Sequence, residues 1–334
     1  MKRAIVIGGT GQIARAAAPA LEQAGFAVTL ASRSGATVGN RSAIALDRED
    51  TEALRDAADG FDTVVDTVAF TTAHAEQLLS LDAGNLVVIS TGSVYADSDG
   101  RYLDVSEETG FPEYPDPVTE DQPTVTAEGP GYSADKSAME RVLLAGRTPV
   151  SILRPGAIHG PGGSAPRELF FVQRALDRRR RVPLAYGGRS RFSTSATANI
   201  AALIALCAEQ PGNRALNAVD DEAPTVAEIG QIIFGAMGWD AEIVPLEGPP
   251  VERVGASPWG VPSPLVLSMD AAHRLGYRPA ATYADAVRDA VEWILEELRD
   301  RHWRAAFPAE GARIEQWFPY EAEDALLKRL NGPV

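Results

Sequence analysis

One cysteine, Cys207, stands in a chain of 334 residues, so no disulfide can form within the chain. It lies in the apolar helical run Asn199–Cys207 and reads as a small buried hydrophobe, with no Cys/His metal spacing around it. Long apolar runs are missing as well: no stretch approaches the ~18 uninterrupted apolar residues that a membrane span needs. The opening Met1-Lys2-Arg3-Ala4-Ile5-Val6-Ile7 has the charge of a secretory leader, but its apolar run ends at Gly8, and a cytoplasmic protein is expected. Positive charge is in deficit too: 31 Lys and Arg against 46 Asp and Glu give −15. That balance opposes polyanions, so neither nucleic acid nor a membrane surface is expected as a partner. The run Arg178–Arg181 is the local exception, either a helix end that suits the macrodipole or a grip on an anionic part of a ligand.

What is present reads as α/β. The length favours one large domain with a smaller one beside it. Short β-rich runs at Ala4–Ile7, Ala27–Ala31, Ile44–Leu46, Thr63–Val68, Leu86–Ser90 and Val150–Leu153 alternate with helical patterns at Gln12–Ala24, Thr51–Ala58, Ala73–Leu81 and Ser133–Leu144. This predicts a Rossmann doubly wound parallel sheet over 1–160. Residues 97–131, rich in Pro, Gly, Asp and Glu, break the alternation and are expected to be a lid-like inserted loop. Residues 161–334 are expected to form a smaller, mixed substrate-binding region that returns a strand and a helix to the sheet. Its last clear element is an amphipathic helix through Ala286, Val287, Ala290, Val291, Ile294, Leu295 and Leu298.

The first strand runs into Gly8-Gly9-Thr10-Gly11-Gln12-Ile13-Ala14, which contains both Gly9-x-Gly11-x-x-Ala14 and Gly8-x-x-Gly11-x-x-Ala14. Glycine suits a tight turn and a close approach of backbone to a pyrophosphate, and a small residue lets the helix pack on the strand. The helix N-terminus then presents N–H groups and a positive dipole end. Gly8, Thr10, Gly11, Gln12 and Ile13 are therefore assigned to a dinucleotide. Leu30-Ala31-Ser32-Arg33-Ser34, after the second strand, lacks the acid that accepts from a ribose 2′-hydroxyl. Ser32 and Arg33 suit a 2′-phosphate instead, so NADP is preferred, with NAD as the alternative. Asp47 is placed either to accept from the adenine amino group or to cap the following helix.

Tyr132-Ser133-Ala134-Asp135-Lys136 sets a phenol and an ammonium four residues apart on one helical face. A cation beside a phenol favours its ionisation and makes it an acid–base group for a carbinol or carbonyl. The strand Val87–Ser90 ends in Thr91-Gly92-Ser93-Val94-Tyr95, where Thr91 would orient the substrate oxygen toward Tyr132. Ser93, Tyr95 and, further on, Arg191 are the substrate candidates. Ala69 after the fourth strand, and Pro155 and Ile158 in Arg154-Pro155-Gly156-Ala157-Ile158-His159-Gly160, are expected to touch the cofactor. His159 is taken as structural or substrate-lining.

Together, the glycine loop, Thr91–Tyr95, Tyr132–Lys136, Leu153–Gly162 and the late Leu275-Gly276-Tyr277-Arg278-Pro279 resemble the extended short-chain dehydrogenase/reductases, the NAD-dependent epimerase/dehydratase family. The resemblance implies an enzyme that moves a hydride on a bound dinucleotide, a reductase or an epimerase, with Thr91, Tyr132 and Lys136 as its catalytic set. Two departures matter. Ala157 stands where nucleotide-sugar epimerases usually carry Asn, and Gly92-Ser93 stands where sugar dehydratases carry Asp-Glu. A nucleotide-sugar epimerase or dehydratase is thus an alternative to an enzyme of other small substrates. A non-catalytic dinucleotide sensor or RNA-binding protein on the same fold is the alternative of another class. A homodimer is expected through the helix of Tyr132, which also shows Met139, Val142 and Leu143.

Overall fold

The computed structural model describes residues 1–38, 41, 43–126 and 128–330; Ala127, inside the expected lid, and 331–334, at the end of the expected C-terminal region, lie outside the described residues. The chain divides into two compact units. One holds Met1–Ile158, Thr194–Asp221 and Leu267–Thr282; the other holds His159–Ser193, Glu222–Val266 and Tyr283–Val334.

The first unit is a seven-stranded parallel sheet with helices between its strands. Strand β1 (Lys2–Ile7) is buried from Ala4 to Ile7, the unbroken apolar pattern of a strand covered on both faces. It is followed by β2 (Phe26–Ser32), β3 (Ala43–Ala45), β4 (Thr63–Asp66), β5 (Asn85–Ile89) and β6 (Val150–Arg154). The helices are α1 (Gln12–Gln23), α2 (Thr51–Ala58), α3 (Thr72–Leu79), the short α4 (Ser106–Thr109) and α5 (Tyr132–Ala145). Across the sheet the order is Arg214–Asn217, β6, β5, β4, β1, β2, β3, with Val6 paired to Leu30 on one side and Val65 on the other. The strand order reverses at β1, so a crevice opens beyond the ends of β1 and β4, where such sheets bind ligands.

Ile5, Val64, Leu86 and Ile152 from the sheet pack with Leu78 of α3 and Leu143 of α5. Met139 and Leu143 are fully buried in this core, which withdraws them as the basis for an expected dimer. Cys207 is buried in the helix Thr197–Glu209, which packs on α1.

The segment expected to be a structureless lid is folded. A 3-10 turn at Leu103–Val105 runs into α4, and Asp97, fully buried, organises the rest. Its carboxylate accepts the backbone N–H of Asp99, Arg101 and Glu113 and the Nε of Arg101. Side-chain bonds thus do here what a ladder does in a strand.

In the second unit, helices Leu169–Leu176, Val226–Ala236 and Tyr283–Glu297 pack together beside a parallel strand pair, Arg181–Leu184 with Glu242–Pro245. Phe171 meets Phe234 edge-on and stacks on Trp259. The arginine run is held largely by its own neighbours. Arg179 pairs with Asp324, Arg180 stacks on Trp239 and Arg181 pairs with Glu242. Beyond Leu298 the chain adds helices Trp303–Ala306, Gly311–Glu315 and Tyr320–Leu330, which the periodicity did not predict. Among the described residues, no helix is long and apolar enough to cross a membrane.

Candidate functional site

A cleft of about 440 Å³ opens at the switch point, lined by Ile7, Gly8, Thr10, Gly11, Ala31, Ser32, Arg33, Leu46, Asp47, Arg48, Glu49 and Val68. The glycines have separate reasons. Gly8 has a φ of +82°, and a Cβ there would sit 2.3 Å from Thr67 Oγ1. Gly9 packs against β2, where a Cβ would meet Leu30 Cβ at 2.8 Å, and its N–H donates to Ala31. Gly11 caps α1 without a side-chain bond, and no acid occupies the first turn, so the positive end of the helix is uncompensated. Gln12 and Ile13 begin that helix, and Ala14 is fully buried against the sheet.

Ser32 and Arg33 line the same cleft, as does Asp47. Asp50, not Asp47, caps α2; Asp47 accepts the N–H of Glu49. Arg48 and Glu49 were not anticipated. Arg48 is bonded to Asp66 at 2.8 Å, with both side chains shut from water. Glu49 is held by His74 Nε2 at 3.0 Å, while His74 Nδ1 accepts the N–H of Phe70.

Thr91 follows β5 and caps the 3-10 turn Gly92–Val94, and Tyr132 opens α5. Phe70 stacks on the Tyr132 ring at 5.5 Å between centroids. Burial pushes the phenol above its ordinary value; the Thr91 hydroxyl pulls the other way and the charge of Asp104 pushes further up. Lys136 Nζ lies 5.9 Å from the same ring and donates to the carbonyls of Ala69, at 2.6 Å, and Ile89, at 2.9 Å. Burial brings its ammonium down to about 8, against the raising effects of Asp66 and Glu140, with Arg48 lowering it further. The structure therefore brings Thr91, Tyr132 and Lys136 together in one unit.

Other expected residues are placed differently. Tyr95 is no substrate contact: it is fully buried, donates to Asn217 Oδ1 and lies against the Arg154 guanidinium, and burial pushes it up to about 12. Ala69 is buried and Val68 lines the cleft in its stead; the part of Ala69 is to hold Lys136. Pro155 accepts the N–H of Gly92, and Ile158 is half-buried; neither lines the cleft. Ser93 stays beside Thr91, 3.0 Å between hydroxyls. His159 is buried against Tyr283 in the second unit. Arg191 is also in the second unit, in a cleft of about 250 Å³ with Tyr186, Arg189, Glu247 and Pro262, and donates to Ala223.

The sequence model of the NAD dependent epimerase/dehydratase family matches residues 4–217. The chain belongs to that family. No curated protein matches it. Among solved structures it is similar to a UDP-glucose 4-epimerase from Thermus thermophilus, in complex with NAD, at 20% identity and a TM-score of 0.61, over 87% of this chain and 98% of that one. It is also similar to a UDP-N-acetylglucosamine 4-epimerase from Bacillus cereus, at 17% identity and 0.67, over 89% and 100%. A dTDP-glucose 4,6-dehydratase from Bacillus anthracis, in complex with NAD, aligns at 16% identity and 0.66, over 90% and 98%. At such identities the likeness establishes the Rossmann architecture of this family member, and chemistry has to be argued from its own residues.

Proposed function

We propose that this chain transfers a hydride between a nicotinamide dinucleotide and a carbinol or carbonyl carbon of a small substrate, with Tyr132 handling the proton. The observation that carries the reading is Tyr132 beside the buried Lys136 ammonium, with the Thr91 hydroxyl near enough to lower the phenol, in the same unit as a glycine-built cleft. The cleft fits a dinucleotide, because the positions that line it at Gly8 and Gly11 leave the end of α1 open to a diphosphate. Gly8, Thr10, Gly11, Gln12 and Ile13 would hold that diphosphate, Ser32 and Arg33 the adenine ribose, and Asp47 the adenine amino group. The bound dinucleotide supplies the hydride donor or acceptor. Thr91 orients the substrate oxygen and Tyr132 gives or takes the proton there. Lys136, fixed by two backbone carbonyls, lends its positive charge beneath the phenol.

Arg33 in the cleft, with no acid at the end of β2, favours NADP over NAD. Fluorescence titration with NADPH and NADH, followed by turnover of a panel of carbonyl compounds and nucleotide sugars, tests the reading. NADPH should bind more tightly, Arg33→Ala should remove the preference, and Tyr132→Phe should lower kcat by about 10²–10⁴-fold. Binding without turnover, or full activity in Tyr132→Phe, would sink it. The Arg189 and Arg191 cleft of the second unit favours a second reading, an anionic substrate such as a nucleotide sugar. The same panel separates the two.

A further inference from the structure

Five charged side chains of the first unit form a buried row: Arg48, Asp66, Lys136, Glu140 and Arg154. Arg48 donates to Asp66 Oδ2 through both Nε, at 3.2 Å, and Nη2, at 2.8 Å. Asp66 Oδ1 accepts the N–H of Ala69, and the carbonyl of Ala69 accepts from Lys136 Nζ, so one residue joins the two. Glu140 follows Lys136 by four positions on α5, which sets both on one helical face. Arg154 of β6 grips Glu140 with Nε at 3.1 Å and Nη2 at 2.6 Å.

A buried ammonium ordinarily pairs with a neighbouring carboxylate, since an unpaired charge away from water is costly. Lys136 has two such neighbours and donates instead to the neutral carbonyls of Ala69 and Ile89. The arginines supply the reason. A guanidinium is a flat fork that matches a carboxylate, and one of them holds each acid. Asp66 Oδ1 is filled besides by the N–H groups of Val68 and Ala69. Three cations against two carboxylates leave one positive charge over. It falls on Lys136, whose Nζ lies 5.9 Å from the centre of the Tyr132 ring. The arginines are anchored in turn, Arg48 to Gln77 Oε1 and Arg154 to the Tyr95 hydroxyl.

We infer that Arg48 and Arg154 are positioning residues: by holding Asp66 and Glu140 they keep Lys136 on neutral carbonyls, its charge uncancelled beside Tyr132. The inference rests on the proposed role of Lys136 and adds the groups that preserve it. The charges acting on Lys136 are Asp66 from β4, Arg48 from the chain after β3 and Glu140 from α5, with the Tyr132 phenol on its own helix. Removing an arginine frees its carboxylate to pair with the ammonium, which then binds its proton more tightly.

The test is an alkaline titration of the ligand-free protein by NMR of isotope-labelled lysine. The chain has three lysines, Lys2, Lys136 and Lys328, and Lys136→Met assigns the signal in question. Wild type should titrate at about 8. Arg48→Met and Arg154→Met should each raise the Lys136 midpoint by about one pH unit, a tenfold tighter hold on the proton. Adding Asp66→Asn to the first, or Glu140→Gln to the second, should cancel the rise. Arg48→Lys and Arg154→Lys keep the charge but lose the fork. They should give smaller rises and take the place of a methionine variant that circular dichroism shows unfolded. A midpoint that stays at the wild-type value or falls, at either position, overturns the inference. A rise that persists in the double variants overturns it as well, since no freed carboxylate then causes it. Because no turnover is read, this failure is separate from retained activity in Tyr132→Phe, which overturns the proposed function.

Discussion

Arg48 Nη2 lies 2.8 Å from Asp66 Oδ2, and the same carboxylate accepts the backbone N–H groups of Val68 and Ala69 through its other oxygen. The pair thus joins the floor of the glycine-built cleft to the turn whose Ala69 carbonyl holds Lys136. Removing one member leaves a buried charge without its partner. Asp66→Ala should cost about 3–5 kcal/mol in urea unfolding. Arg48→Met combined with Asp66→Leu should cost less than the sum of the single changes, since neither charge is then stranded. Strict additivity would show that the pair is not coupled.

Gly8 and Gly25 both have positive φ, +82° and +86°, but only Gly8 is crowded. A Cβ at Gly8 meets Thr67 Oγ1 and Val68 Cγ1 within 2.8 Å, whereas nothing lies within 4 Å at Gly25. Gly25→Ala should cost about 1–2 kcal/mol, the backbone term alone. Gly8→Ala should cost more and weaken NADPH binding at least tenfold, roughly 1.4 kcal/mol. Equal stability of the two variants, or unchanged binding in Gly8→Ala, would count against this account of the loop.

The glycine loop was legible because every link in it is local: strand, turn and helix follow one another within Lys2–Gln23. The ion pairs were not, although an acid within an apolar strand such as β4 calls for a partner. Arg48 is 18 positions from Asp66 and Glu140 is 14 from Arg154, so no periodicity relates them. Tyr95 misled for the opposite reason. It follows Thr91 closely, yet the 3-10 turn Gly92–Val94 leads it into the interior rather than toward the site. In residues 97–131 the Pro and Gly content agreed with the absence of strands among the described residues and concealed the bonds of Asp97.

Arg174 and Glu323 form another such pair, 2.5 Å apart with both side chains 1% exposed, between the helices Leu169–Leu176 and Tyr320–Leu330. Arg174 also donates to Phe170 and Trp317 carbonyls. Glu323→Ala should cost the second unit about 3–5 kcal/mol and make the last helix an early site of proteolysis. A variant cut no faster than wild type at residues 318–330 would contradict that.

Lys136 makes stability depend on pH in an unusual direction. Burial lowers it to about 8 in the folded chain, from an ordinary 10.5. Below pH 8 both states hold the proton, and the folded state bears the full cost of a buried ammonium. Between about 8 and 10.5 the folded state has released the proton while the unfolded state still binds it, so the free energy of unfolding rises with pH. The slope should approach about 1.4 kcal/mol per pH unit and vanish above both values. Buried tyrosines act oppositely: Tyr95, pushed up to about 12, loses stability once unfolded tyrosine ionises near pH 10. The measurement is therefore the difference between wild type and Lys136→Met in urea unfolding from about pH 8 to 10, where the tyrosines cancel. The variant also strands the Ala69 and Ile89 carbonyls, but that cost is the same at every pH. Wild type should gain on the variant steadily across the interval. A flat difference would mean that Lys136 keeps its proton in the folded chain, and a falling one that the charged form is favoured there.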